Sequence, residues 1–229
     1  MTARADVRVI ELAQTLSPAT AVWPGVQPLA ARVTNTYADG GSFGREITFH
    51  EHTGTHFDAP AHFHEGGRTV EALEAGELVC DAAVIDIRSA CASDADYGLS
   101  VADIEAHEAE HGRLPSGIAV LVLTGWSELR TDAAAYVGNM RFPGLSVAAG
   151  RLLVERGVAG IGIDTLSIDR GVASDYPVHL ITLPAGLWQL EGLVHLEQLP
   201  PRGALLVVGP LRLAGGSGSP ARPLALLPA

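Results

Sequence analysis

The stretch HEHTGTHFDAPAHFH, residues 50–64, decides how this chain is read. It holds His50, His52, His56, His62 and His64, five of the nine histidines in the sequence, together with Asp58. A buried imidazole costs desolvation and fills space less well than leucine, so no core calls for such a density. Clustered imidazoles beside a carboxylate are instead the donor set of a divalent metal. His52 and His56 are four apart, as are Asp58 and His62, and on one helical turn each pair would share a face. No single straight element converges all four, because a strand would spread them over roughly 33 Å and Pro60 breaks a continuous helix. The segment is therefore expected to wrap around a point, with Gly54 supplying backbone freedom and Pro60 ending any helix. Two imidazoles and one carboxylate already match a catalytic zinc site that keeps a position open for water.

Two blander readings fit less well. An expression tag or accidental tract would not be interleaved with Gly-Thr, Asp and Ala-Pro. A structural zinc site favours thiolates, yet the only cysteines, Cys80 and Cys91, are eleven apart and form no C-x-x-C pair. Cys80 lies in an apolar run and reads as an inert core residue.

A chain of 229 residues, 47% apolar and 18% charged, is long enough for one large domain, taken as residues 1–229. The charged fraction is below the globular average of about 25%, and the mean hydropathy of +0.23 points to a well-buried globule or to association. A formal charge of −11 with no Lys/Arg cluster argues against nucleic acid and against an anionic membrane. Met1–Ile10 carries charges where a signal peptide needs an apolar stretch, and no run approaches the roughly 20 residues of a membrane span. Cytoplasm is the expected compartment, and two scattered cysteines build no disulfide framework.

Eight stretches read as strands: Val7–Leu12, Ala31–Thr36, Glu46–Glu51, Leu78–Ile87, Ile118–Leu123, Val158–Ile163, Val178–Leu183 and Ala204–Val208. Several are continuous Val/Ile/Leu runs suited to a sheet buried on both faces. Ser100–His111 and Ser146–Arg156 read as helices, with Ser100 and Asp103 as a capping box, Ser146 as a second cap, and Gly112 and Gly157 at the ends. His107 and His111 recur at helical spacing among acidic residues, which suggests a solvated helix face. His195 is read as structural.

The pattern His52-x-Gly54-Thr55-His56-x-Asp58-x-Pro60-x-His62 resembles the H-x-G-T-H-x-D-x-P-x-H signature of the metal-dependent cyclase family, which includes bacterial kynurenine formamidases and isatin hydrolases. The likeness continues through Val22-Trp23-Pro24-Gly25, Thr124-Gly125-Trp126, Gly160-Ile161-Gly162-Ile163-Asp164-Thr165, His179, Glu191 and Gly215-Gly216-Ser217-Gly218-Ser219-Pro220-Ala221-Arg222. The resemblance implies a swivelling β/β/α architecture within the α/β class and a homodimer or larger assembly. It makes His52, His56, Asp58, His179 and Glu191 the ligands of about two divalent ions, zinc or manganese, with Asp58 and Glu191 reaching both. Two carboxylates shared between dications limit their mutual repulsion. Without the resemblance, His179 would read as a core histidine and Glu191 as a surface charge.

By the same likeness His62 is the general acid or base, although ligation of the second ion fits the residue type equally. An imidazole with an unperturbed pKa of about 6.5 can take a proton from the attacking water and return it to a leaving nitrogen. Trp23 resembles the tryptophan that lines the substrate pocket, while His50 and His64 match no ligand. Read alone, GGSGS at 215–219 is a flexible linker; the resemblance makes it an ordered loop before a final strand. The expected activity is metal-dependent hydrolysis of an amide C–N bond in a small aromatic molecule, with N-formylkynurenine leading. An isatin hydrolase or a cyclase or dehydratase of secondary metabolism are the alternatives, and a passive metal-binding protein has no use for His62. Thr55 replaces an alanine frequent in the kynurenine-specific branch, Gly192 replaces a common asparagine, and Phe63–Gly67 extends the motif as in broader relatives.

Overall fold

The computed structural model describes residues 7–228, so the first part of the Met1–Ile10 reading lies outside the described residues. Its strands are β1 (Val7–Glu11), β2 (Ala30–Asn35), β3 (Gly44–Thr48), β4 (His56–Asp58), β5 (Val79–Asp86), β6 (Gly98–Leu99), β7 (Ala119–Leu123), β8 (Gly144–Leu145), β9 (Gly160–Ile163), β10 (Trp188–Glu191), β11 (Arg202–Val207), β12 (Gly218–Pro220) and β13 (Leu224–Pro228). Nine of them form one sheet in the order β1-β13-β11-β5-β7-β9-β10-β4-β12. The central run from β5 to β10 is parallel, and both flanks are antiparallel.

The parallel centre follows from its sequence. Every residue of β7, AVLVL, is buried. Alternation sends Ala119, Leu121 and Leu123 into one core and Val120 and Val122 into the other. The second core is covered by the helices Val101–His111 and Val147–Arg156, which contribute Ile104, Ala149 and Leu153. Both start as their sequences require: Ser100 Oγ accepts from Asp103 N at 3.2 Å while the Asp103 carboxylate accepts from Ser100 N at 2.8 Å, and Ser146 Oγ accepts from Ala149 N at 3.2 Å.

The first core is enclosed by the curl of the sheet itself. β12, at the far edge, is joined to β13, second from the opposite edge, by Ala221–Pro223 alone. Three residues reach only about 10 Å, so the two edges approach one another. Leu12 N donates to Pro223 O at 3.0 Å, and Val194 N donates to Leu12 O at 3.0 Å, closing the gap. The Gly215–Ser219 segment is thus an ordered entry to β12, with β13 as the final strand.

Two expectations are corrected. Val178–Leu183 is not a strand but a helical turn over His179–Thr182. Val178, His179, Thr182 and Leu183 are buried while Leu180 is 54% exposed, which is helical spacing that a short apolar run conceals. The adjacent strand is β10. His107 does not face solvent: together with Ile104 it forms the buried side of its helix, and the acidic neighbours occupy the rest of the circumference.

β4 is flanked on both sides, pairing Glu191 with His56 and Asp58 with Gln189 on β10, and Asp58 with Gly218 on β12. Strand alternation puts His56 and Asp58 on one face and Phe57 on the other, where Phe57 is fully buried and its ring centroid lies 5.9 Å from that of Trp188. Opposite register adds Glu191 to the His56 face.

Candidate metal centre

His52 comes from the turn before β4, His56 and Asp58 from β4, His62 from the short 3-10 turn Pro60–His62, His179 from the helical turn after Val178, and Glu191 from the end of β10. Gly54 permits the tight turn: its φ is +65°, and a Cβ there would lie 2.2 Å from Leu16 Cδ2. The backbone does wrap around a point, as a turn, strand and 3-10 turn in succession.

Two trios of donor atoms result, each lying within 4.8 Å of one another: His52, His56 and Asp58 in one, Asp58, His62 and His179 in the other. Asp58 belongs to both. Glu191 spans them, with Oε2 3.3 Å from His56 Nε2 and Oε1 3.3 Å from His179 Nε2. The outer ring nitrogens are held from behind: His56 Nδ1 donates to Gly54 O at 2.9 Å, and His179 Nδ1 lies 2.6 Å from Asp169 Oδ2. Partners of this kind fix the orientation of a ligating imidazole.

The electrostatics fit divalent cations. Asp58 and Glu191 are both buried, and Asp58 Oδ2 has no hydrogen-bond partner. Burial alone would raise the pKa of Asp58, yet His52 and His56 hold it well below the usual carboxylate range. Burial also opposes charge on His56, but Asp58 and Glu191 pull its pKa up to about 9. His179 is raised well above its ordinary value against the same burial, by its hydrogen bond to Asp169 and by the nearby Asp58 and Glu191 carboxylates. Two adjoining buried carboxylates demand positive charge, and a mixed N/O donor set accepts zinc, manganese and related ions.

His62 behaves differently. Burial pushes it down to about 4, overcoming the upward pull of Asp58. Its ring stacks on His52 with centroids 3.8 Å apart and stands 6.0 Å from His179.

The donors open on a cavity of about 250 Å³ whose apolar walls include Trp23, Val26, Phe63, Leu166 and Tyr176. Trp23 is therefore at the cavity, as is the exposed His50, whereas His64 is exposed away from it. Tyr176 lies 5.7 Å from Trp23 and 5.4 Å from Phe63 by ring centroid, and holds φ at +48°. Sequence reasoning passed over Tyr176 and Asp169. The run Asp164–Tyr176 has no periodicity to mark them, and only an Asp ten residues before a candidate ligand hinted at the second. The Thr124-Gly125 and Asp164 motifs prove to be scaffold: the Asp164 carboxylate accepts from Thr124 N, Thr124 Oγ1 and Gly125 N, at 3.0, 2.6 and 2.9 Å, clamping the ends of β7 and β9.

A curled mixed sheet that carries paired N/O donor sets under an aromatic-walled cavity defines a class of metal-centred α/β protein. The sequence pattern of the Cyclase family, described as "Putative cyclase", matches residues 10–170, and the chain belongs to that family. An isatin hydrolase of Roseibium aggregatum is 35% identical over 191 residues, covering 78% of this chain and 72% of the relative. A kynurenine formamidase of Salinibacter ruber is 30% identical over 217 residues, covering 93% of this chain and 95% of the relative. The solved isatin hydrolase A of Ralstonia solanacearum superposes with a TM-score of 0.90 at 37% identity, covering 96% of this chain and 92% of its own. The cyclase-like α/β fold with a mixed buried sheet, implied by the family resemblance, is the one observed.

Proposed function

We propose that this chain is a metal-dependent hydrolase that opens an amide C–N bond of a small aromatic substrate, with N-formylkynurenine as the leading candidate. The observation that most supports this is the convergence of His52, His56, Asp58, His179 and Glu191 beneath an aromatic-walled cavity, with His62 beside them. His52, His56, Asp58, His179 and Glu191 would hold about two divalent ions, zinc or manganese. Such ions, when bound, lower the pKa of water and polarise a carbonyl oxygen.

The chain's own groups supply the rest. Trp23, with Phe63 and Tyr176, holds the aryl ring of the substrate by stacking and edge contacts. The apolar walls exclude bulk water, which strengthens every charge interaction within. His62, neutral at pH 7 because burial holds it near 4, accepts a proton from the attacking water at a ring nitrogen. It then delivers that proton to the departing aryl nitrogen as the C–N bond breaks. Formate and the free amine are the products.

A second reading, an isatin hydrolase opening a cyclic amide by the same steps, is favoured by one observation. Among the described residues no Lys or Arg lines the cavity to meet a carboxylate, whereas N-formylkynurenine is a zwitterion with an α-ammonium and an α-carboxylate to satisfy and isatin carries no charge. Elemental analysis of the purified protein, paired with hydrolysis assays on both compounds, tests the proposal. Turnover of N-formylkynurenine supports the first reading, turnover of isatin alone supports the second, and a metal-loaded protein inert on both defeats the two together.

The coarser setting is consistent with such an enzyme. No helix among the described residues is long and apolar enough to cross a membrane. Both cysteines are free, and burial pushes Cys80 to about 11 and Cys91 to about 12, leaving them inert. A reducing cytoplasm suits that chemistry. The ribbon of β2 and β3 leaves Val33 50%, Phe43 53% and Ile47 40% exposed, and two strands alone are marginal in water. A homodimer, as inferred from the family, would cover it. Residues 1–229 are taken as one domain because a single sheet runs from Val7 to Pro228.

A further inference from the structure

Two of the three imidazoles nearest Asp58 have an unambiguous oxygen behind them, the Gly54 carbonyl for His56 and the Asp169 carboxylate for His179. The third, His52, turns Nδ1 toward Asp58 Oδ1 at 2.6 Å and Nε2 toward Ser217 Oγ at 3.0 Å. A hydroxyl is ambiguous, since it donates and accepts. Here its direction is set by Glu51, whose Oε2 lies 2.8 Å from Ser217 Oγ and 3.0 Å from Ser217 N. An ionised carboxylate only accepts. The single hydroxyl proton therefore goes to Glu51, and Ser217 Oγ has only lone pairs to offer His52. The Nε2 atom must then carry a hydrogen, which leaves Nδ1 as the atom that faces the centre.

A second observation shows that the surrounding loop is shaped to this ring. A Cβ on Gly218 would lie 2.5 Å from His52 Cε1 and 2.9 Å from His52 Nδ1. The backbone next to Ser217 thus lies directly against the imidazole, and Gly218 is itself locked by pairing with Asp58. Ser217 is locked too, because Ala59 N donates to its carbonyl at 2.9 Å.

We propose that Glu51 and Ser217 form a positioning pair that fixes the tautomer and tilt of His52, so that Nδ1 is presented to the same point as His56 and Asp58. Neither residue touches the reacting atoms. The inference rests on the metal-centre reading above, and it assigns a task to the serine of the Gly-Ser-rich segment that would otherwise read as a spacer.

The test compares wild type with Ser217→Ala, Ser217→Thr and Glu51→Gln. Metal affinity is measured by competition with a chelator, and the His52 ring is followed by ¹⁵N NMR in zinc-loaded protein, because without a cation the Asp58 carboxylate 2.6 Å away would itself keep a proton on Nδ1. Ser217→Ala should lower affinity by about 10- to 100-fold, as removal of an outer partner of a ligating histidine does. It should also cost His52 its single Nε2–H form. Ser217→Thr, which keeps the hydroxyl, should restore both, and Glu51→Gln should give an intermediate loss. Wild-type affinity together with an unchanged His52 spectrum in Ser217→Ala would overturn the proposal while leaving the hydrolase reading intact. A wild-type protein that binds no divalent ion would instead overturn the hydrolase reading. Gly218→Ala is a separate check: it should lower affinity with Ser217 and Glu51 both present, and unaltered binding would count against the fitted loop.

Discussion

Asp169 holds His179 at two points and Val178 at a third: Oδ2 lies 2.6 Å from the ring Nδ1 and accepts the backbone N–H of His179 at 3.2 Å, while Oδ1 accepts the N–H of Val178 at 2.8 Å. One carboxylate thus fixes both the start of a helical turn and the direction in which the imidazole points. Asp169→Asn should keep only the one backbone contact its remaining oxygen can accept and lose the charge behind the ring. Metal affinity is expected to fall by about 10- to 100-fold, measured by chelator competition. A variant binding as tightly as wild type would show that backbone packing alone orients His179.

The donor trios share Asp58, so its loss should be felt at both. Asp58→Ala is expected to bring metal content close to zero, and His52→Ala to remove at least the ion held with His56. Turnover should drop by about 100-fold or more in each. Elemental analysis of dialysed protein is the direct measure. Full metal content in both variants would refute the ligand assignment.

Trp23 and Tyr176 both line the cavity and pack against one another, with centroids 5.7 Å apart and planes tilted by 50°. Removing either ring should weaken binding of an aromatic substrate by about tenfold, the equivalent of about 1.4 kcal/mol for an aromatic contact. Steady-state kinetics of Trp23→Ala and Tyr176→Ala should show the change mostly in KM. A purely kcat effect would move these residues from substrate contact to the chemistry.

Burial pushes His107 down to about 4, with His111 and Arg202 adding to the shift. An unfolded chain would protonate this ring near its ordinary value of about 6.5. Between pH 6.5 and 4 the unfolded state therefore binds more protons, so stability is complete above 6.5 and is lost as pH falls toward 4. His107→Leu should remove that component, on the order of 1–2 kcal/mol between pH 7 and 4.5. Urea unfolding of both proteins at the two pH values gives the comparison, and equal losses would contradict the assignment.

The donor-bearing turn, the central apolar strands and both long helices were legible because each has a local signature: ligand-type residues around Gly54 and Pro60, unbroken Val/Ile/Leu runs, and caps at Ser100 and Ser146; that His56–Asp58 pairs as a strand within that turn was not. What escaped was set by distant partners. The Val178–Leu183 run has the composition of a strand, and it coils because Asp169 caps its first N–H groups. His107 sits among glutamates, but tertiary packing chose which side of its helix faces the sheet. Tyr176 carries no pattern at all; its place at the cavity depends on a left-handed backbone between Asp169 and His179. The family likeness supplied His179 and Glu191, which residue patterns alone would have passed over.

The pairing of β4 with β12 has an implication for biogenesis. Residues 50–64 leave the ribosome long before residues 217–220, and until those later residues arrive the early imidazoles lack the neighbour that aligns them. On the proposed ligand set, the site would therefore be completed only once residues 217–220 have been made, and ion selection would fall to the folded chain.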